Sequence, residues 1–218
     1  LVLALALTGL CAAQAAVNHS SFINGPFASG PEVTSRCLEC HGDGGLLEDQ
    51  VDLDFMNTVH WTWRADNNGQ ELGRCTSCHA GYGWRDDSFD FNDATKIDCL
   101  VCHEQTGTYK KTPTGAGDPD PTVDLVAAAK SVGPPSRANC GTCHFYGGGG
   151  DAVKHGDLDS TMLDPSRELD VHQHANGTPF SCVECHEGTA HEIPGSRYSK
   201  SAPDSQMCLD CHTELNGG

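Results

Sequence analysis

The chain has 218 residues, with 30 acidic side chains against 13 lysines and arginines and a formal net charge of −17. A surface so acidic repels phosphate backbones, which excludes nucleic acid as a partner, and it suits docking on basic proteins. Apolar residues make up 37% and aromatic residues 6%, too few for an ordinary side-chain core at this length, while 25 glycines and 11 prolines imply a loop-rich chain.

Leu1 to Ala16 is an apolar run that ends in small residues, LVLALALTGLCAAQAA. It reads as the apolar part of a secretory signal peptide over residues 1–16, with residues 17–218 as one exported domain, periplasmic or extracellular. The run is too short to span a bilayer, and no other stretch approaches that length, so no transmembrane segment is expected. Cys11, preceded by Leu10 rather than a small residue, reads as part of the signal and not as a lipid-attachment site. Beyond it, Asn18 to Ile23 carries His19, and GPFASGPEVT is punctuated by glycine and proline.

The remaining twelve cysteines form six pairs: Cys37/Cys40, Cys75/Cys78, Cys99/Cys102, Cys140/Cys143, Cys182/Cys185 and Cys208/Cys211. Each pair is spaced CxxC and followed at once by histidine: His41, His79, His103, His144, His186 and His212. Disulfides would not require a histidine after every pair. Zinc sites need two CxxC-like halves per metal, and a thioredoxin-like CxxC needs a βαβ context that is not visible. CxxCH is the attachment motif of c-type haem: two thiols form thioethers to one haem, and the next residue places its imidazole on the iron. Six covalently attached c-type haems follow. The expected fold is a multihaem cytochrome, mostly irregular, with short α-helices wrapped around a covalent haem stack and little β-structure.

Between the motifs, Glu48 to Thr58 predicts a short helix leading into His60-Trp61-Thr62-Trp63, where the tryptophans pack either on a haem face or in an ordinary core. Asp66 to Gly73 predicts a polar turn, Thr106 to Pro121 an exposed loop, and Val123 to Val132 a helix with Asp124 near its start and Gly133-Pro134-Pro135 beyond its end. The segment between CTSCH and CLVCH holds no spare histidine, so the distal ligands of those two motifs come from elsewhere in the chain.

Six histidines lie outside the motifs: His19, His60, His155, His172, His174 and His191. Six irons with six spare histidines allow every haem to be bis-histidine, closed to substrate and suited to electron transfer. A second solution uses Lys154, which follows a glycine-rich turn, in place of one of the closely spaced His172 and His174. Lysine can ligate only as the neutral amine, so it needs a desolvated or cationic setting.

GPFASGPEVTSRCLECH, HWTW, CTSCHAGYGW, CLVCHEQTGTYKK and CGTCHFYGGGGDAVKHGDLD resemble the octahaem tetrathionate reductase family, from about Phe22 to at least His191. The resemblance implies that Lys154 is the distal ligand of the haem on Cys75, Cys78 and His79, that this haem is a candidate active site, and that His155 serves a different haem. Two departures stand out. The family carries eight haems where this chain has six motifs, and it places a cysteine upstream of CTSCH where Asn67 to Arg74 has none.

Two functions are therefore expected. The first is an electron carrier between redox partner proteins, including a form that self-assembles into an extracellular filament with His19 crossing a subunit boundary. The second is a reductase of tetrathionate, nitrite or hydroxylamine at the Lys154 haem, with Asp151 or His174 handling protons.

Overall fold

The computed structural model describes residues 17–62, 78–84, 88–112, 117–147, 149–153, 158–177, 180–186, 191 and 211–213. Within them lie six short helices: α1 (Gly30–His41), α2 (Val51–Met56), α3 (Val59–Thr62), α4 (Cys99–His103), α5 (Leu125–Lys130) and α6 (Arg137–His144). Four 3-10 turns add His19–Ser21, Ala94–Lys96, Ser160–Leu163 and Cys182–Glu184. The described residues form no strand, only the isolated bridges Gly81 to Ile97 and Lys111 to Pro119.

The helices start where polar side chains accept otherwise bare N–H groups. Ser29 caps α1, Asp98 accepts from Val101 N to cap α4, and Asp124 accepts from Ala127 N to cap α5. Ser136 and Asn139 form a reciprocal capping box on α6.

Three of these helices end on a CxxCH motif. Cys37 to His41 closes α1, Cys99 to His103 is the whole of α4, and Cys140 to His144 closes α6. Residues i, i+3 and i+4 share one helical face, so each such helix turns two thiols and an imidazole the same way. The fifth motif does the same over one turn, with His186 N donating to Cys182 O at 3.0 Å.

The sequence expectations need adjustment at three places. The helix expected over Glu48 to Thr58 starts only at Val51, because Glu48 (φ 56°) and Gln50 (φ 52°) are left-handed, and it stops at Met56 before α3 begins. The helix expected over Val123 to Val132 is trimmed to α5 by its Asp124 cap and by Ser131. In the expected exposed loop over Thr106 to Pro121, Thr106, Gly107, Thr108, Lys110, Asp118 and Pro121 are exposed, but the Lys111 side chain is only 12% exposed and Tyr109 hydrogen-bonds a buried carboxylate. The expected polar turn from Asp66 to Gly73 lies outside the described residues.

Two small apolar clusters flank α4. One gathers Phe55, Trp61, Ala80, Trp84, Phe89 and Ile97. The other gathers Ile23, Val33, Leu100, Ala128 and Ala129. They share the helix: Val101 packs on the first and Leu100 belongs to the second. Thr34 on α1 donates to Ile97 O at 2.6 Å, tying the first motif's helix to the approach to the third.

Candidate haem sites

Ten of the twelve motif cysteines lie among the described residues, and none of the ten is joined in a disulfide. Of these thiols Cys40 is half-buried, and Cys78, Cys185 and Cys211 are exposed to whatever group they tether. Both apolar clusters gather around α4, drawing in Cys37 and Cys99, and neither includes Cys40 or a residue of the fifth or sixth motif. His186 and His212 are exposed beside their cysteines, so these two motifs lie at the surface of the described residues.

The histidines outside the motifs meet motif histidines in pairs. His19 faces His41 with ring centroids 6.3 Å apart, and His60 faces His144 at 6.2 Å. His191 faces His103 at 5.8 Å, and His172 faces His212 at 6.0 Å. Two imidazoles each bonded to one metal at about 2 Å have centroids roughly 6 Å apart. All four pairs therefore have the ring separation that one iron between them requires. The partners are far apart in sequence and come from different segments, so this is an arrangement of the fold and not of local spacing.

Two of the motif rings are held by their other nitrogen. His41 Nδ1 lies 2.8 Å from Asp49 Oδ2, and His103 Nδ1 lies 2.9 Å from Gly133 O. Acceptors at Nδ1 select the tautomer that leaves Nε2 as the ligating nitrogen. Gly133 also donates its own N–H to His103 O at 2.9 Å, so ring and backbone are clasped together. At His19 and His60 a buried Nδ1 has no hydrogen-bond partner. Burial lowers the pKa of His60, His103 and His191, which keeps these imidazoles neutral and able to ligate.

His79 is different. It is buried among four aromatic rings, with centroids 4.6 Å from Trp84, 5.1 Å from Trp61, 5.6 Å from Phe89 and 6.0 Å from Phe91. Its Nε2 lies 3.1 Å from Trp61 O. Burial, aided by the charge of Lys111, pushes its pKa down to about 4. Among the described residues no histidine ring faces His79, nor does one face His186. Trp61, expected either against a haem or in a core, is core: it is 1% exposed and donates from Nε1 to Phe91 O at 2.9 Å.

The other expected residues divide as follows. Lys154, His155, Cys75 and Cys208 lie outside the described residues. His174 is half-buried, and its Nδ1 accepts from Asn176 N at 3.3 Å. The carboxylate of Asp151 is engaged by Ser160, accepting from N at 2.9 Å and from Oγ at 2.6 Å, and so closes a loop. Thiols of different motifs come within hydrogen-bonding reach: Cys37 with Cys99, Cys140 with Cys182, and Cys143 with Cys78.

Sequence reasoning missed one feature altogether, a buried charge network between the second and third motifs. Asp98, with a fully buried carboxylate, takes Lys111 Nζ at 3.1 Å, Tyr82 OH at 2.9 Å and Tyr109 OH at 3.0 Å. Lys111 Nζ also donates to His79 O at 3.2 Å and Gly81 O at 2.7 Å. An aspartate just before CLVCH is readable as a helix cap, but nothing local distinguishes Lys111 from its exposed neighbour Lys110.

One prediction arises from this geometry. A Cβ at Gly81 would stand 2.8 Å from His79 Cε1 and 2.9 Å from Trp61 Cζ3. Gly81→Ala is therefore expected to displace the His79 ring and cost about 1–3 kcal/mol by overpacking. Thermal unfolding of the loaded protein checks it, and an unchanged midpoint would contradict it.

The fold is that of a multihaem c-type cytochrome: short helices ending in CxxCH, no strand among the described residues, and facing histidines drawn from distant segments. Among solved structures the chain is similar to the octaheme cytochrome c from Shewanella oneidensis, at 45% identity and a TM-score of 0.70, over 83% of this chain and 43% of that one. An uncharacterized protein of Archaeoglobus fulgidus is 30% identical over 141 residues, which is 56% of this chain and 46% of that protein. The chain thus spans less than half the length of either relative. No family model matches.

Proposed function

We propose that this chain is an exported hexahaem c-type cytochrome that carries electrons between redox partner proteins outside the cytoplasm. The observation that carries the reading is the set of four facing histidine pairs, His19 with His41, His60 with His144, His191 with His103 and His172 with His212. Haem supplies one-electron chemistry at each iron, and an axial imidazole on both faces closes that iron to substrate. The thiol contacts support close spacing, since Cys37 and Cys99, Cys140 and Cys182, and Cys143 and Cys78 would each tether neighbouring haems. The 45% identity to an octaheme cytochrome c adds to this. Among the described residues no helix is long and apolar enough to cross a membrane.

Mass spectrometry of the native exported protein is the first test. Six haem additions are expected, and markedly fewer would end the reading. In the filament form of the proposal, His19 of one subunit reaches an iron of its neighbour; within a single chain its ring faces His41. Imaging of purified material decides the assembly state, and only monodisperse particles at every concentration would exclude the filament.

The surroundings of His79 favour a second reading, reduction of a small sulfur or nitrogen compound such as tetrathionate, nitrite or hydroxylamine at that haem. His79 sits in an aromatic enclosure with no facing histidine among the described residues, and the family resemblance implies Lys154 as its distal ligand. In this reading His155 serves another haem, and Lys154 is the group that yields to substrate. Electron paramagnetic resonance of the oxidised protein separates the readings. Bis-histidine signals alone would exclude the enzyme, whereas a lysine-type or high-spin centre with turnover of one of these compounds would establish it.

A further inference from the structure

Among the described residues the most exposed large apolar side chain is Leu46, at 83%. It lies between α1 and α2 beside Leu47, which is 57% exposed, and Leu53 follows on α2 at 40%. Backbone bonds hold the two neighbours in place: Leu46 N donates to Glu39 O at 3.1 Å, and Leu47 N donates to Cys40 O at 2.8 Å. The segment thus folds back on the last turn of α1. Its leucines are held at the surface beside the first attachment motif and enter neither apolar cluster.

The same segment carries charge of one sign. From Cys37 to Trp63 the sequence has no lysine or arginine, while it holds Glu39, Asp43, Glu48, Asp49, Asp52 and Asp54. Three of these are committed locally: Asp49 to the His41 ring, Asp52 to Asp43 N, and Glu39 to Arg36. Asp43 and Glu48 are exposed and Asp54 is half-buried. Among the described residues no lysine or arginine pairs with these three.

Leucines held in water carry a hydration cost that a covering partner removes. The charge decides which partner. A second copy brings its own net charge of −17, and an anionic lipid surface is repelled in the same way. A lysine-rich protein is instead attracted by the carboxylates and removes water from the leucines on contact. Electron-transfer encounters are small and transient, which suits a patch of this size.

We propose that Leu46, Leu47 and Leu53, with Asp43, Glu48 and Asp54, form the docking surface for a lysine-rich redox protein, and that the first attachment motif is the port at which electrons pass between the two. The proposal rests on the proposed function and adds to it the chemistry of the partner and its place of contact. The first motif fits that role: Cys37, Cys40 and His41 share one helix face, His19 faces His41 at 6.3 Å, and Asp49 holds His41 Nδ1.

The test is calorimetric titration of the full loaded protein with mitochondrial cytochrome c, used as a lysine-rich one-haem probe. Two double variants are compared with the native protein. Leu46→Ser with Glu48→Gln alters the proposed surface, whereas Leu169→Ser with Glu168→Gln removes one exposed leucine and one exposed carboxylate elsewhere. All four side chains are exposed, so folding should be retained. The native protein is expected to bind the probe at low ionic strength and more weakly at physiological ionic strength. The first variant should bind about 5- to 10-fold more weakly and the second within about twofold of native. No binding by the native protein, equal losses in the two variants, or no loss in the first would overturn the proposal. Sedimentation of the same samples tests the other occupant: a native dimer that the first variant dissolves would show that a second copy covers the patch, which also overturns it. Haem stoichiometry by mass is measured on each sample. Fewer than six haems on a native protein that still binds the probe at this surface would bring down the proposed function and leave the docking surface standing, so the two failures are told apart.

Discussion

His60→Leu is expected to convert one centre of the loaded protein from low-spin to high-spin without loss of haem. His60 lies on α3, a four-residue helix held by Thr62 Oγ1 donating to Thr58 O at 2.9 Å, and by Trp61 buried beneath it. Its ring meets that of His144 at 6.2 Å and 75°. The tether at Cys140 and Cys143 and the proximal His144 are on α6 and remain untouched, so attachment should proceed normally. Leucine fills much of the imidazole's volume but offers no lone pair, and the buried, unpartnered Nδ1 of His60 disappears without leaving a donor bare. The change should be complete for that centre and absent from the others, and added imidazole should restore the low-spin signal. An electron paramagnetic resonance spectrum identical to the native one would show that His60 ligates no iron.

Trp84→Ala should give the largest loss of stability. Trp84 is 0% exposed and touches His79 at 4.6 Å and Phe91 at 5.3 Å between ring centroids. It closes one side of the enclosure around a motif histidine. Truncating a buried tryptophan costs about 3–5 kcal/mol, against a total of roughly 5–15 kcal/mol for an ordinary folded domain. Trp84→Phe is expected to cost much less, because it keeps a ring in place and removes an indole N–H that has no partner. Thermal unfolding of the two variants beside the native protein is the measurement. Equal losses in both would mean that the enclosure contributes no packing energy of its own.

The cytochrome architecture was legible from the motifs because their chemistry is local. Two thiols and an imidazole at i, i+3 and i+4 need only one helical turn to face the same way, and Asp98 and Ser136 mark where the helices carrying two such turns begin. Depth was not legible from the same pattern: Cys99 packs against an apolar cluster while Cys185 and Cys211, in identical motifs, are exposed. The helix expected from Glu48 was less legible, since left-handed backbone at Glu48 and Gln50 follows from the surrounding packing and not from their residue types. The loop carrying Tyr109 and Lys111 is exposed over much of its length, as its polar composition implies, but nothing in that composition marks these two side chains as the ones that meet a buried carboxylate.

By itself the sequence determined what is tethered: how many attachment motifs exist, which histidine follows each, and that an acidic, loop-rich chain surrounds them. Only the tertiary structure decided which distant histidine meets which motif, that His79 is enclosed by aromatic rings, and that Lys111 lies against its backbone. The division has a physical cause. Attachment depends on neighbours within five residues, whereas a facing ring pair or the buried Asp98–Lys111 pair is formed by segments from about a dozen to nearly ninety residues apart. Their meeting is set by how α1, α4 and α6 pack, which no local pattern encodes.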